Sequence, residues 1–162
     1  MKLNSFSLAA AVLVLLFGGI GFSTAMNWWQ TETNLVPAVF AEGVAAGQYN
    51  PADIRGSYSF GDVSELFCIP LSDLQIAFRL PDDQDPASFP LKTLETISED
   101  LAVDVGTASV RLFVAFYLGL PYDLVTNEEA FLFPEAAEIL KMRNNLTDER
   151  ALYLVSHLAD SA

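Results

Sequence analysis

Cysteine is almost missing from this 162-residue chain, histidine is equally scarce, and basic side chains number 8 against 21 acidic ones. Each scarcity removes a class of chemistry. A lone cysteine, Cys68, cannot close an internal disulfide, complete a zinc site or form a CxxC redox pair. Set between Phe67 and Ile69, it reads as a small buried hydrophobe. The single histidine, His157, stands near the C-terminus among Leu154, Val155 and Leu158. That position suits a helix-face or helix-end role, since metal ligation would need partners the chain does not supply. The formal charge of −13 repels a phosphate backbone, and no basic stripe or recognition helix is present, which sets nucleic-acid binding aside. An acidic surface suits solubility, a cationic partner or an ion, and is equally the ordinary solvated face of a folded domain.

Catalytic sets are also lacking. Carboxylates are plentiful, but nothing in their spacing brings two into one desolvated site, and His157 has no evident nucleophile beside it. Asp82, Asp83 and Asp85 lack the alternating acidic pattern and the distal glutamate of a calcium loop, so they read as a solvated, helix-terminating loop. The sequence nominates no catalytic residue, no metal ligand and no cofactor site.

What the chain does have is a long apolar start. Phe6 to Met26 carries no charge, and a helix of that length rises about 30 Å, the thickness of a bilayer's hydrocarbon core. Leu8, Val12, Leu15, Leu16, Phe17, Ile20 and Phe22 favour insertion, and Trp28 and Trp29 follow where amphipathic rings prefer the headgroup region. Lys2 marks the cytoplasmic end. The competing reading is a cleaved signal peptide, with Leu8 to Phe17 as its apolar stretch and Ser23-Thr24-Ala25 before the cut. The run's length and the Trp pair favour an uncleaved, single-pass anchor. Either way, the C-terminal part is exported.

The expected organisation is an anchor at 1–29, a connecting segment at 30–52 and an acidic helical domain at 53–162. The fold class is all-α: one transmembrane helix, then a small bundle of short helices joined by Pro-containing turns. Within the connector, Val36 to Ala46 is expected as a short helix near the bilayer. Ser59 with Asp62 forms a capping box for a helix to about Phe67, and Ser72 with Gln75 a second one for a helix on which Leu74, Ile76, Ala77 and Phe78 continue the apolar face. Thr93 to Leu101 reads as a short helix.

Thr107 is placed to cap the most apolar helix of the domain, which ends at Gly119 and carries Val110, Arg111, Phe113, Phe116 and Tyr117; it is either the central core helix or a face for a partner. Arg111, if buried there, needs a carboxylate or carbonyl. Pro134 starts the next helix, with Glu135 early and Lys141 and Arg143 late, the order the helix dipole favours, and Asn144-Asn145 stops it. Thr147 caps a final amphipathic helix built on Leu152, Leu154, Val155 and Leu158. That cap and stop explain Asn145-Leu146-Thr147 without its glycosylation pattern. Phe67-Cys68-Ile69-Pro70 and Leu118-Gly119-Leu120-Pro121 echo one another, each followed by an Asp-Leu pair.

The stretch Asn50-Pro51-Ala52-Asp53-Ile54-Arg55-Gly56-Ser57-Tyr58-Ser59-Phe60-Gly61-Asp62-Val63, with Ile69-Pro70-Leu71 and Ala77-Phe78 beyond it, resembles a small extracytoplasmic helical domain of bacterial iron–sulfur-binding and ferric-reductase-like membrane proteins. Gly106 to Pro121, with Ser109 to Ala115 at its heart and Leu120-Pro121-Tyr122 closing it, resembles that unit's second half. The resemblance spans residues 50–158 and implies an accessory domain beside a redox membrane protein. The chain departs from those larger relatives in lacking their multi-helix membrane part, cysteine clusters and haem-ligating histidines, so no cofactor residue is carried over. The expectation is a non-catalytic subunit whose outer domain docks on a membrane-protein partner; the alternative is an exported acidic module for a cation or small ligand.

Overall fold

The computed structural model describes residues 12–14, 17, 35–98, 101–125 and 130–159. Contacts divide the chain into two units, Met1–Asn34 and Leu35–Ala162. Of the expected span, Val12, Leu13, Val14 and Phe17 are helical and exposed, while Leu8, Leu15, Leu16, Ile20, Phe22, Trp28 and Trp29 lie outside the described residues. No described helix is long and apolar enough to cross a membrane.

The second unit is all-helical. Its α-helices are α1 (Phe60–Phe67), α2 (Leu71–Ala77), α3 (Leu94–Ile97), α4 (Thr107–Leu118), α5 (Pro134–Met142) and α6 (Asp148–Ser156), with 3-10 turns at Pro51–Asp53, Pro86–Ser88 and Leu91–Thr93. Extended pairing among the described residues is confined to isolated bridges.

Local sequence signals set several boundaries. The Ser59 hydroxyl accepts from the Asp62 N–H at 3.1 Å while the Asp62 carboxylate accepts from the Ser59 N–H at 2.7 Å, the reciprocal box that starts α1. Pro134 opens α5, and Asn144 follows it with φ +56°. The Thr147 hydroxyl accepts from the Arg150 N–H at 3.4 Å to start α6. Gly119, at φ +69°, ends α4 in the left-handed conformation that glycine adopts without a Cβ penalty.

Other expectations need correction. No helix forms over 36–46: Phe40 donates to Gln48 O, Gly47 to Phe40 O and Asn50 to Ala38 O, making a hairpin-like loop bridged at Val39 and Tyr49. Gly43 and Gly47 both sit at positive φ there, which a helix does not permit. This stretch is part of the domain, because the Asp53 carboxylate accepts from the Ala38 N–H at 2.8 Å and Tyr49 packs edge-on against Phe67. The compact unit therefore begins at Leu35.

The Ser72–Gln75 box is absent. Pro70 is the N-cap of α2, its carbonyl accepting from Asp73 and Leu74, so Ser72 lies inside the first turn. Ile76 is exposed, because the buried face of α2 runs through Leu74 and Ala77. Helix α3 stops at Ile97 rather than Leu101. The buried Ser98 hydroxyl bonds the Glu95 and Val105 carbonyls and turns the chain back towards α4. Gly106, not Thr107, is the N-cap of α4, and Ser109 Oγ accepts from its N–H at 3.3 Å.

Cys68 is exposed, not buried. It sits at φ +52° just past α1, with Ile69 N–H donating to Ser64 O, as Leu120 N–H donates to Ala115 O past Gly119. The two echoing segments are thus one Schellman turn used twice, each with a proline following to stop the helix.

Helix α4 lies at the centre of the core. Phe89, Phe60, Phe78, Phe113 and Tyr117 form a continuous row of rings with successive centroids 6.2, 5.4, 5.5 and 5.6 Å apart. Burial of such a side chain stabilises by about 1.5–3 kcal/mol, and the ring pairing adds about 0.5–1.5 kcal/mol. Gly61 lets this row close against the Pro86–Ser88 turn: a Cβ there would lie 2.5 Å from the Ala87 carbonyl oxygen.

Cys68 pays the left-handed penalty that Gly119 avoids, and its side chain contributes no core packing. Cys68→Gly is expected to raise stability by about 0.5–1 kcal/mol in urea unfolding; a loss of stability would show that the thiol packs more than its exposure indicates.

Candidate functional site

The five helix residues singled out from the sequence share α4 but not one surface. Val110, Phe113, Phe116 and Tyr117 are all buried within the domain, so α4 serves its own core. Arg111 is half-buried and meets the stated requirement for a carbonyl partner, its Nε donating to Ile54 O at 2.7 Å. That bond ties α4 to the Pro51–Asp53 turn.

Every one of the five arginines is engaged within the chain. Arg55 lies 3.6 Å from Asp53, and Arg79 lies 2.9 Å from Glu135 and 4.5 Å over the Phe133 ring. Arg143 stacks 3.7 Å over Tyr117 and donates from Nε to the Tyr117 carbonyl at 3.1 Å, where the Asn145 amide also donates. Arg150 lies 4.9 Å over Phe116 and donates to the Leu120 carbonyl. Lys141 thus remains the cation in the last turn of α5, while Arg143, its C-cap, serves the end of α4. Burial lowers the Arg150 pKa, with Glu149 opposing.

Tyr117 also donates to Asp73 Oδ2 at 2.6 Å, and burial, then that hydrogen bond and charge, raise its pKa. The Tyr58 hydroxyl is buried with no hydrogen-bond partner among the described residues; burial, then Asp53, raise its pKa.

Two surface features remain as candidates. One is a polar cleft of about 350 Å³ at the start of α4, lined by Gly56, Lys92, Glu95, Asp104, Gly106, Thr107, Ala108 and Arg111. The helix N-terminus, Lys92 and Arg111 supply positive potential, while Glu95 and Asp104 supply negative charge to the same space. Such a lining has complementary groups for a small molecule bearing both signs.

The other is the outer face of α6. Arg150, Tyr153, Leu154 and His157 turn inward at helical spacing, which directs Leu152 and Val155 outward at 74% and 70% exposure. Of the four apolar residues on which the helix is expected to be built, Leu154 is buried and Leu158 half-buried, while Leu152 and Val155 are exposed. Leu152 adjoins Leu124, Glu149, Tyr153 and Ser156 around a shallow hollow of about 290 Å³. At the helix end, His157 stacks on Tyr153 at 3.7 Å, faces Phe131 at 5.3 Å, and has Nδ1 2.9 Å from both the Tyr153 carbonyl and Ser156 Oγ. The Ser156 hydroxyl also lies 3.0 Å from the Tyr153 carbonyl, so this pair closes the last turn of α6. The backbone beyond it pairs with Leu132 through Leu132 N–H to His157 O and Ala159 N–H to Leu132 O.

Among the described residues, no group of three or more His, Cys, Asp or Glu side chains is placed to hold a metal ion. Asp85 instead accepts from the Ala87 N–H and starts a 3-10 turn. In comparisons with known proteins, no family model, no curated protein and no solved structure matches the chain.

Sequence reasoning missed the outward strip on α6 and the arginine closures of α4. The arginine closures had one signal, an arginine-rich basic set, five of eight, in a strongly acidic chain; the strip had only the apolar content of α6.

Replacing Arg143 by Ala is expected to cost about 1–2 kcal/mol in urea unfolding, through loss of the stack and of one carbonyl bond. Arg143→Lys should recover only part, because an ammonium lacks the planar fork. Equal stability of all three would contradict the closure.

Glu135 gives a pH signature. Burial works to raise its carboxyl pKa, but the Arg79 hydrogen bond, its own backbone N–H and the Arg79 charge together hold it below the ordinary 4.5. A carboxyl so lowered adds stability above its unfolded value and loses it as pH falls through the folded value. The stability gap between the wild-type chain and Glu135→Gln should therefore be present at pH 7 and close on acidification below about 4.5. With side-chain exposures of 36% and 40%, the pair is screened, and the gap should not exceed about 1 kcal/mol.

Proposed function

We propose that this chain is a non-catalytic, single-span accessory subunit whose outer helical domain docks on a larger membrane protein. The charge-free run Phe6–Met26 serves as the anchor, Lys2 stays on the cytoplasmic side, and the acidic domain faces the extracytoplasmic side. The observation that carries the docking reading is the outward strip of α6, Leu152 and Val155, with Leu124 beside Leu152. Apolar side chains directed away from a well-filled core are available to a partner. The resemblance of residues 50–158 to a small extracytoplasmic helical domain of bacterial iron–sulfur-binding and ferric-reductase-like membrane proteins implies a redox membrane partner.

The test is extraction in mild detergent, size measurement, and the same experiment on Leu152→Ser/Val155→Ser. Both side chains are exposed, so the double variant should melt within about 2–4 °C of wild type. The proposal expects a co-purifying polypeptide that the wild-type chain holds and the variant releases. A clean monomer, or a complex indifferent to the variant, would contradict it. N-terminal sequencing of the mature chain distinguishes a retained anchor from cleavage near Ala25.

A second reading, an exported binding module for a cation or small ligand, is favoured by the mixed-charge cleft. It predicts a rise in melting temperature with calcium, a transition metal or a small zwitterion, abolished by Glu95→Gln with Asp104→Asn. No shift with any of these would end it.

A further inference from the structure

We draw no further inference here: the strongest candidate, the mixed-charge cleft between Lys92, Glu95, Asp104 and Arg111 at the start of α4, belongs to the site already described and rests on a helix N-terminus with no buried, unpartnered side chain among the described residues shown aimed into it.

Discussion

A helix buried around most of its circumference carries its polar ends into the protein with it, and those ends must be satisfied by groups that arrive from elsewhere. Helix α4 is in that position. Its last turn leaves carbonyls that water would satisfy on a surface helix. The Schellman turn at Gly119 takes those of Ala115 and Phe116, while Arg143 and Asn145 take that of Tyr117. Arg150 then takes the Leu120 carbonyl just beyond. Because Arg143 and Arg150 belong to the end of α5 and to α6, closing the central helix also fixes where the C-terminal helices lie. The same guanidinium groups stack on Tyr117 and Phe116, so one pair of side chains satisfies carbonyls and covers aromatic faces.

This use of arginine shapes the surface. Three of the five, Arg111, Arg143 and Arg150, bond backbone carbonyls, so these cations close the core instead of pairing with surface carboxylates. The charge of −13 itself follows from composition, 21 acidic side chains against 8 basic ones. The apolar strip on α6 is one of several exposed apolar positions, Val44, Val125 and Met142 among the others, and it lies on a helix held firmly by Arg150, Leu154 and the His157–Leu132 backbone pairing.

Most features legible in the sequence were decided within one helical turn, although the equally local Ser72–Gln75 box and Thr107 cap were misplaced because Pro70 and Gly106 take those N-cap positions. Ser59 with Asp62, Pro134, Gly119, Asn144 and Thr147 each act on backbone groups a few residues away, and hydrophobic density marked α4 as either a core helix or a partner-facing one, of which the structure shows the first. The other failures were decided by distant neighbours. The apolar content of α6 was plain, yet which residues turn inward depends on where α4 presents Leu120 and Phe116 to Arg150. Cys68 looked buried because Phe67 and Ile69 are, but a left-handed residue between them points its side chain away. The hairpin over 38–50 was hidden because its pairing is marked only by Gly43 and Gly47, and glycines also punctuate loops. The cleft at the start of α4 joins residues from three separate stretches, which no local pattern reveals.

Hydrogen exchange of the full chain tests most directly whether the closed, buried α4 is what the domain depends on. Amides from Val110 to Leu120 should exchange only by global unfolding, as slowly at the Gly119 exit as in the middle of the helix, with α6 losing protection in the Arg150→Ala variant before α1 does. Fast exchange at Leu118 to Leu120 in the wild-type chain, or an α4 less protected than α1, would contradict the account.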